Sequence, residues 1–333
     1  MKKAFIRSIC LICALIMASL TLFACNDNTD NTEDKAPSNV HTVKFNSNGG
    51  TYISDVEVRD GQKISEPPAP TRENYIFLNW EKEHRTWVFG AMAVTEDITL
   101  NAIWISAAEL FDIVPTENAD ELLISGFAKQ KSIYHLTIPE KINGKTVVGF
   151  TENAFKSIHE EHADHLTVPA TVRTVGDSAF QSITQVHINF LGEISEIGVS
   201  SFEGCTKLET LNLGTGLKSI PYRCFFGATS LAALDIPEGV TVIEENAFSS
   251  CTSMQTIVLP SSLTTVEDGA FLDSSELAVV FFKGTEEQFD AIEISNNNNE
   301  LLSAKIYFYS DTQPTESGDF WHYDKSNTPI LWQ

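Results

Sequence analysis

Residues 247–271 read AFSSCTSMQTIVLPSSLTTVEDGAF, a stretch that begins and ends with a small residue followed by phenylalanine. The same phenylalanine recurs with gaps of 25, 22, 23, 23 and 23 residues, at Phe155, Phe180, Phe202, Phe225, Phe248 and Phe271. Apolar residues recur five and eight positions before each phenylalanine, and twelve and fourteen positions before the last five. A repeat of about 20–29 residues with apolar positions in register predicts stacked coils that share one elongated core.

The spacing also predicts the shape of one coil. Apolar residues two apart, such as Ile257 and Leu259, place both side chains on one face of a short strand. Pro260 follows directly and ends that strand, because proline lacks the amide donor that a continuing ladder needs. We therefore expect a mainly β solenoid in which each coil is stabilised by its neighbours and both ends require caps.

Residues 247–271 resemble the BspA-like leucine-rich repeats of bacterial surface proteins, and the resemblance extends from about Phe111 to Trp332. We assign the solenoid with its N-terminal cap to residues 105–283. Residues 284–333 are expected to form a C-terminal cap with a short helix beginning after Thr285, a strand and an aromatic hairpin. The resemblance implies a surface-displayed protein that binds other macromolecules; it names no ligand.

Residues 41–104 have a different sequence pattern, with alternating apolar residues, glycine turns and proline-rich connections. They resemble the internalin-type B repeat, which is β-grasp-like. The matching positions are His41–Phe45, Asn48–Gly50, Thr71–Glu73, Tyr75, Phe77, Trp80, Ile98–Leu100 and Trp104. Asn74 and Asn79 stand where that family usually has glycine, which leaves the turn geometry open. The resemblance implies a spacer or an accessory binding module.

The amino terminus predicts export and membrane attachment. Residues 1–24 have a basic start followed by an apolar run and are interpreted as a signal peptide. The run ends in Leu22–Cys25, which resembles the lipobox of bacterial lipoproteins and implies that Cys25 carries a lipid. Residues 25–40 would then be a lipidated, polar tether. The predicted location is extracellular, at the cell surface, with the lipid on Cys25 as the sole membrane contact.

The net charge of the chain limits the kinds of partner that it can bind. The formal net charge is −23, and removing the three basic residues of the signal peptide makes it −26. An acidic surface of this kind argues against nucleic acid as a partner, since nucleic-acid binding needs a basic footprint. The sequence contains no nucleophile elbow, phosphate loop or nucleotide fingerprint, so we expect no enzyme activity and no cofactor.

Six cysteines do not predict a disulfide framework. Cys10 and Cys13 lie in the signal peptide and Cys25 is assigned to the lipid. Cys205 and Cys251 occupy equivalent positions two coils apart, roughly 10 Å, which exceeds disulfide reach. These two and Cys224 are expected to be small buried residues.

The outward positions between the inward strand residues form a candidate ligand-binding sheet face. This row is small and mostly polar, and consists of Thr167, Asn189, Asn212, Asp235 and Val258. Extended sheet surfaces of repeat proteins commonly bind partners. The row lacks the Trp, Tyr and Arg residues that anchor tight interfaces, so it suggests weak or multivalent binding, or binding elsewhere.

A histidine-rich segment precedes one of the predicted strands. His165 and His187 should be neighbours on adjacent coils, and His162 with an acidic residue could join them in a zinc site. The alternative is a solvated loop that binds no metal. Trp321, Tyr323 and Trp332 likewise allow two interpretations, a cover over the apolar end of the solenoid or a surface that stacks on sugar rings or on a partner.

Three functions remain open from the sequence. The first is non-catalytic adhesion, in which the solenoid binds extracellular proteins of a host or a neighbouring cell. The second is a structural or glycan-binding accessory role in the producer's own cell envelope. The third is a zinc-dependent role around His162.

Overall fold

The chain is described by a computed structural model covering residues 39–128, 133, 135–156, 165–184, 187–315 and 318–332. Residues 1–38, with the predicted signal peptide, Cys25 and most of the tether, lie outside this part. Val40–Gln333 forms one compact unit. The unit is built mainly from short strands, and its longest hydrophobic core runs along the repeats, so the predicted fold class is confirmed.

The amino-terminal module is a five-stranded mixed sheet with strand order β2-β1-β5-β3-β4. Its strands are β1 (Val40–Asn46), β2 (Val56–Arg59), β3 (Tyr75–Lys82), β4 (Arg85–Thr86) and β5 (Ile98–Ser106). β1 and β5 are parallel, and the remaining pairs are antiparallel. Trp80 and Trp87 are buried in the module's own core, and Trp104 packs partly buried against it.

The solenoid begins with α1 (Ala107–Leu110) and a hairpin of β6 and β7. The strands of its first half are β6 (Phe111–Pro115), β7 (Glu121–Phe127), β8 (His135–Thr137), β9 (Lys141–Ile142), β10 (Lys145–Phe150), β11 (His165–Val168), β12 (Thr174–Val175), β13 (His187–Phe190), β14 (Glu193–Ile194) and β15 (Glu196–Ile197). Two sheets result, one ordered β15-β12-β10-β7-β6 with β9 beside β10, and one ordered β13-β11-β8; their pairings are parallel except for β6–β7 and β9–β10.

The second half repeats this arrangement. Its elements are β16 (Asn212–Leu213), β17 (Ser219–Ile220), β18 (Ala233–Asp235), β19 (Val242–Ile243), β20 (Thr256–Leu259), β21 (Thr265–Val266), β22 (Val279–Phe282), α2 (Glu286–Asp290), β23 (Glu293–Ile294), α3 (Asn299–Ser303), β24 (Lys305–Tyr309), β25 (Phe320–Tyr323) and β26 (Pro329–Leu331). The sheets are β17-β19-β21-β23 and β18-β20-β22-β24-β25-β26, while β14 and β16 pair separately.

The phenylalanine repeat forms the spine of the core. From Phe180 to Phe271, consecutive rings stack 5.2–5.6 Å apart with interplanar angles of 1–17°. All of these rings are fully buried. Phe155, in the first full coil, packs on Phe180 at 5.8 Å with a tilt of 59°. Each repeat of the sequence therefore adds one phenylalanine ring to this stack.

Main-chain hydrogen bonds join the coils at the phenylalanine corner. The amide of each phenylalanine donates to the carbonyl of the residue just before the next one, as Phe248 does to Ala270 at 2.8 Å. The residue two positions before each phenylalanine has a left-handed backbone, and five of the six are not glycine; Asn246, for example, has φ 57°. We call this series of corner bonds the corner ladder.

Side chains end the corner ladder where no further coil follows. The Phe271 amide donates to Oδ1 of Asn298 at 3.0 Å, and the Asp273 amide donates to Oε1 of Glu300 at 3.2 Å. Asn298 is 1% exposed, and its Nδ2 donates to the carbonyls of Glu267, Ser295 and Asn296. An amide side chain thus takes the place of the missing coil's backbone.

The three described cysteines are free and buried, as expected. They also make specific contacts, because the thiols of Cys205 and Cys251 donate to the carbonyls of Phe180 and Phe225 at 3.0 and 3.1 Å. Ser274 makes the same contact one coil later, to Phe248 at 2.6 Å. A hydrogen-bond donor, and not only a small side chain, fits this position.

The module and the solenoid share part of their core. Ile76 and Ile105 of the module's strands belong to the hydrophobic cluster of the solenoid. β5 passes the predicted boundary at Trp104, continues to Ser106 and runs directly into α1. The helix, strand and hairpin expected after residue 284 are present, and α2 begins with a capping box between Thr285 and Gln288.

Candidate functional site

The structure divides the predicted sheet face into two parts. Thr167 and Asn189 are register partners on β11 and β13, and Asp235 and Val258 are partners on β18 and β20. Asn212 does not join Asn189, because Asn212 pairs with Glu193 of β14. The continuous row expected from the repeat is therefore wrong at Asn212.

The carboxyl-terminal hairpin covers the second part of the face. The Tyr323 hydroxyl donates to Oδ2 of Asp235 at 2.6 Å, and Lys283 Nζ donates to Oδ1 at 2.7 Å. Three strands separate β18 from β25 in the sheet order, so this contact requires the hairpin to fold back over the outward face. Val258 is only 4% exposed, which corrects its assignment to an open row.

Trp321 anchors this cover. Its ring is fully buried, packs against Phe281 at 5.2 Å and Tyr309 at 5.0 Å, and its indole N–H donates to the Phe282 carbonyl at 2.9 Å. Burial, followed by the hydrogen bond to Asp235, raises the pKa of Tyr323 well above its usual range. The aromatic residues thus cover part of the sheet face, in addition to lying near the solenoid end where the sequence placed them.

The first part of the face borders two cavities. One, of about 480 Å³, lies between residues 71–74 of the module and β8 and β11, with Ile138, Pro169 and Leu191 among its lining residues. The other, of about 390 Å³, is lined by His165, His187, Asn189, Lys207 and Glu209, among others. Thr167 lines both, so the cavities adjoin. We call these two cavities together the junction groove.

Asn74 holds the module's side of the junction groove in place. Its φ is 64°, a left-handed conformation that asparagine tolerates better than most residues. Its carbonyl accepts from the Ala107 amide at 2.9 Å, and its Oδ1 accepts from the Asn143 amide at 2.9 Å. Asparagine at this family glycine position therefore keeps the turn and adds a bond that glycine cannot make.

Arg72 is fixed at the rim of the same groove. Its guanidinium lies over the Tyr75 ring at 3.9 Å from the centroid, and its Nη1 donates to the Asn48 carbonyl at 3.2 Å. Leu191, on the solenoid side, is 59% exposed. The groove therefore combines an apolar surface with ordered polar groups. The repeat pattern does not reveal this groove, because its two walls are more than 60 residues apart in the chain.

The histidines lie at one end of the groove. The rings of His165 and His187 stack with centroids 4.9 Å apart, and His187 Nδ1 lies 3.6 Å from Oε1 of Glu209. His162 lies outside the described residues. Among the side chains that are described, no three His, Cys, Asp or Glu groups are arranged to hold a metal ion.

The described nucleophilic thiols do not suit catalysis. Burial raises the pKa of Cys251 to about 12 and raises the pKa values of Cys205 and Cys224 as well. A thiol that stays protonated and enclosed is a poor nucleophile. No helix among the described residues is long and apolar enough to cross a membrane.

Comparisons with protein families identify both kinds of repeat. Residues 148–278 match the BspA type leucine rich repeat region, in six copies. Residues 41–103 match the Listeria-Bacteroides repeat domain. The resemblance to BspA-like leucine-rich repeats and that of residues 41–104 to a bacterial surface-protein repeat are confirmed, and the coils within residues 148–278 are leucine-rich repeats of the BspA type.

Individual relatives match only part of the chain. A putative membrane protein of Evansella cellulosilytica is 42% identical over 69 residues, which are 20% of this chain and 10% of that protein. The chain thus spans about a tenth of the length of this curated relative. A leucine rich cell surface protein from Faecalibacterium prausnitzii A2-165 aligns over 67% of this chain and 59% of its own, with 19% identity and a TM-score of 0.50, and supports the fold.

A leucine rich repeat protein of T. pallidum is 25% identical over 61% of this chain and 85% of its own. Its TM-score of 0.36 is too low to support the fold by itself.

Proposed function

We propose that this chain, which carries six BspA-type repeats and one Listeria-Bacteroides repeat domain, is a non-catalytic binding protein of the bacterial cell surface. The junction groove is its contact surface. One observation supports this assignment above others: the chain's own hairpin covers the face at Asp235 and Val258, whereas two adjoining cavities border the face at Thr167.

The groove's chemistry fits an extended segment of another protein. Leu191, which is 59% exposed, provides an apolar contact beside the buried Ile138 and Pro169, and Arg72 and Glu209 place opposite charges toward the two ends. A segment with one or two apolar side chains between polar ones would match both features. The net charge of −23 disfavours nucleic acid.

The proposed role is adhesion to proteins of a host or a neighbouring cell. Attachment through a lipid on Cys25 would hold the chain at the surface. The relatives named above, a putative membrane protein and a cell surface protein, support this location. A role with envelope glycans is the second candidate, favoured by the partly exposed rings of Tyr307 and Tyr309.

The test measures binding of residues 26–333 to an array of matrix proteins, cell-surface proteins and glycans. Thr167→Arg places a long charged side chain where the cavities adjoin, and binding of a protein partner should weaken at least tenfold. Thr265→Arg is the matched control, because Thr265 is a half-buried residue of a parallel strand in the opposite sheet.

Two results would count against the proposal. Glycan binding alone would move the function to the envelope, and equal loss in both variants would show that the groove is not the contact surface. Deleting the module is not a suitable control, because Ile76 belongs to the solenoid's core and the deletion would expose that core.

A further inference from the structure

The sheet of the amino-terminal module has an open edge at β2. This strand pairs with β1 alone, and its other side faces no strand among the described residues. None of its four residues is buried, because Val58 is half-buried and the other three are exposed. An edge strand presents main-chain donors and acceptors that can pair with a strand of another chain.

The main-chain groups of Glu57 and Arg59 point to the open side of β2. In β1, the Thr42 amide donates to Oδ1 of Asp97, just before β5, at 2.8 Å, so this amide points away from β2. Main-chain groups alternate in direction along a strand, so β1 bonds to β2 through its odd-numbered residues. These are the register partners of the two valines of β2. The amide and carbonyl groups of the glutamate and the arginine are therefore left at the edge.

We propose that β2 pairs antiparallel with β2 of a second copy of this chain, about a two-fold axis at Val58. In this register, Glu57 of each copy lies opposite Arg59 of the other, and the two residues exchange main-chain hydrogen bonds. The Arg59 carbonyl also accepts from the Gln62 amide at 3.0 Å, and it keeps a second lone pair for the new strand. The inference does not depend on the junction groove.

The charges on β2 select this register over its neighbours. Sliding one copy by two residues in one direction would place Glu57 opposite its own equivalent. Sliding it in the other direction would place Arg59 opposite its own equivalent. Like charges directly opposite each other are destabilising, whereas opposite charges contribute favourably. The register centred on Val58 places opposite charges at both positions, so the strand is complementary to itself.

Val58 makes the central contact on the other face of the strand. Its side chain packs, half-buried, against the hydrophobic core of the module, so pairing would bring two such side chains together beside the two cores. The net charge of −23 opposes close approach of two copies in general, which favours a locally complementary edge as the place of contact. Because the edge is short, we expect a weak and reversible dimer.

Disulfide crosslinking of residues 26–333 tests the register. The central pair is not hydrogen-bonded and brings its Cα atoms about 4.5 Å apart, so Val58→Cys should form a disulfide-linked dimer in air. Val56→Cys is the matched control on the same strand and face. Val56 is 38% exposed, but in this register it lies about 14 Å along the strand from its equivalent, so the control should stay monomeric. The three described native cysteines are buried.

Sedimentation equilibrium tests the charges. Arg59→Glu places two glutamates opposite each other at both positions and should weaken dimerisation at least about tenfold. Arg85→Glu makes the same change of charge at an exposed residue of β4, at the opposite edge of the sheet, and should leave dimerisation unchanged. Combining Glu57→Arg with Arg59→Glu exchanges the charges and should restore dimerisation. Circular dichroism of each variant checks that the fold is retained.

Three results would overturn the proposal. They are a chain that stays monomeric at every concentration, equal crosslinking in Val56→Cys and Val58→Cys, or equal dimerisation in Arg59→Glu and Arg85→Glu. Arg59→Glu should still bind a protein partner at the junction groove, and Thr167→Arg should still dimerise. Failure of this proposal is therefore distinguishable from failure of the proposed adhesion.

Discussion

Asn298 offers the sharpest test of how the solenoid ends. Replacing it with alanine removes the Oδ1 acceptor of the Phe271 amide and three bonds donated by its Nδ2. Phe271 is 0% exposed, so water cannot easily take the place of the lost acceptor. The Glu267 carbonyl keeps a second donor, the Ala270 amide, and Ser295 and Asn296 lie at the surface.

The cost therefore falls mainly on one buried amide. An unsatisfied buried donor costs about 1–3 kcal/mol. Loss of the packed amide group itself adds on the order of 1 kcal/mol, so Asn298→Ala should lower the free energy of unfolding by about 2–4 kcal/mol. Since a solenoid coil contacts only its neighbours, the last coil should open first.

Two measurements check this expectation. Urea unfolding followed by circular dichroism gives the change in free energy, and hydrogen exchange reports the Phe271 amide directly. If opening of the last coil accounts for the loss, exchange of that amide should accelerate by roughly 30- to 700-fold, at tenfold per 1.4 kcal/mol.

Asn299→Ala is the matched control, because Asn299 is the next residue and its side chain is exposed. It should change stability by less than about 0.5 kcal/mol. Indistinguishable stability and exchange in the two variants would refute the role of Asn298 as a substitute for a further coil.

Three further predictions concern other features. Cys251→Ser keeps a hydrogen-bond donor, like the one at Ser274, and should lower the free energy of unfolding in urea by less than about 1 kcal/mol. Cys251→Val removes the donor and should lower it by about 2–3 kcal/mol, and equal losses in the two variants would contradict the hydrogen bond's role. Folding raises the pKa of Tyr323, so the folded chain retains a proton that the unfolded chain loses above about pH 10, and the free energy of unfolding should fall there. This fall should be smaller in Tyr323→Phe, a change that itself lowers the free energy of unfolding by about 1–2 kcal/mol because Asp235 loses its bond to the hairpin. Gly204 has a left-handed backbone with φ 70°, so Gly204→Ala should lower the free energy of unfolding by about 1–2 kcal/mol and lower the thermal midpoint. An unchanged midpoint would argue against the left-handed conformation at this position.

The repeat pattern was sufficient to predict the solenoid. A ring at Phe225 or Phe248 is buried because every neighbouring coil brings another ring to the same place, so one sequence period fixes one contact. The inward strand positions follow for the same reason, since Leu234 and Ile257 are register partners. Where coils repeat, the spacing of apolar residues in the sequence and the packing between coils indicate the same buried positions.

The candidate site depends on contacts between parts of the chain that do not repeat. Val258 is buried by a hairpin that lies about 60 residues later in the chain, and Asn212 pairs with a strand outside the expected row. The repeat period of the sequence predicts neither of these contacts. The junction groove depends on Asn74 meeting Asn143, a contact between two kinds of repeat. Asn298 could not be singled out among four consecutive asparagines, because its role depends on the absence of a coil.

The corner ladder has a consequence for how such chains change in length. Its bonds between coils use main-chain atoms alone, and the groups that end it sit on the short segment from Asn296 to Glu300. Duplicating one coil between Phe202 and Phe225 would therefore preserve both ends and shift the terminal segment outward by about 5 Å. Recombination between similar coils could lengthen or shorten the protein's reach while the groove beside the module keeps its shape.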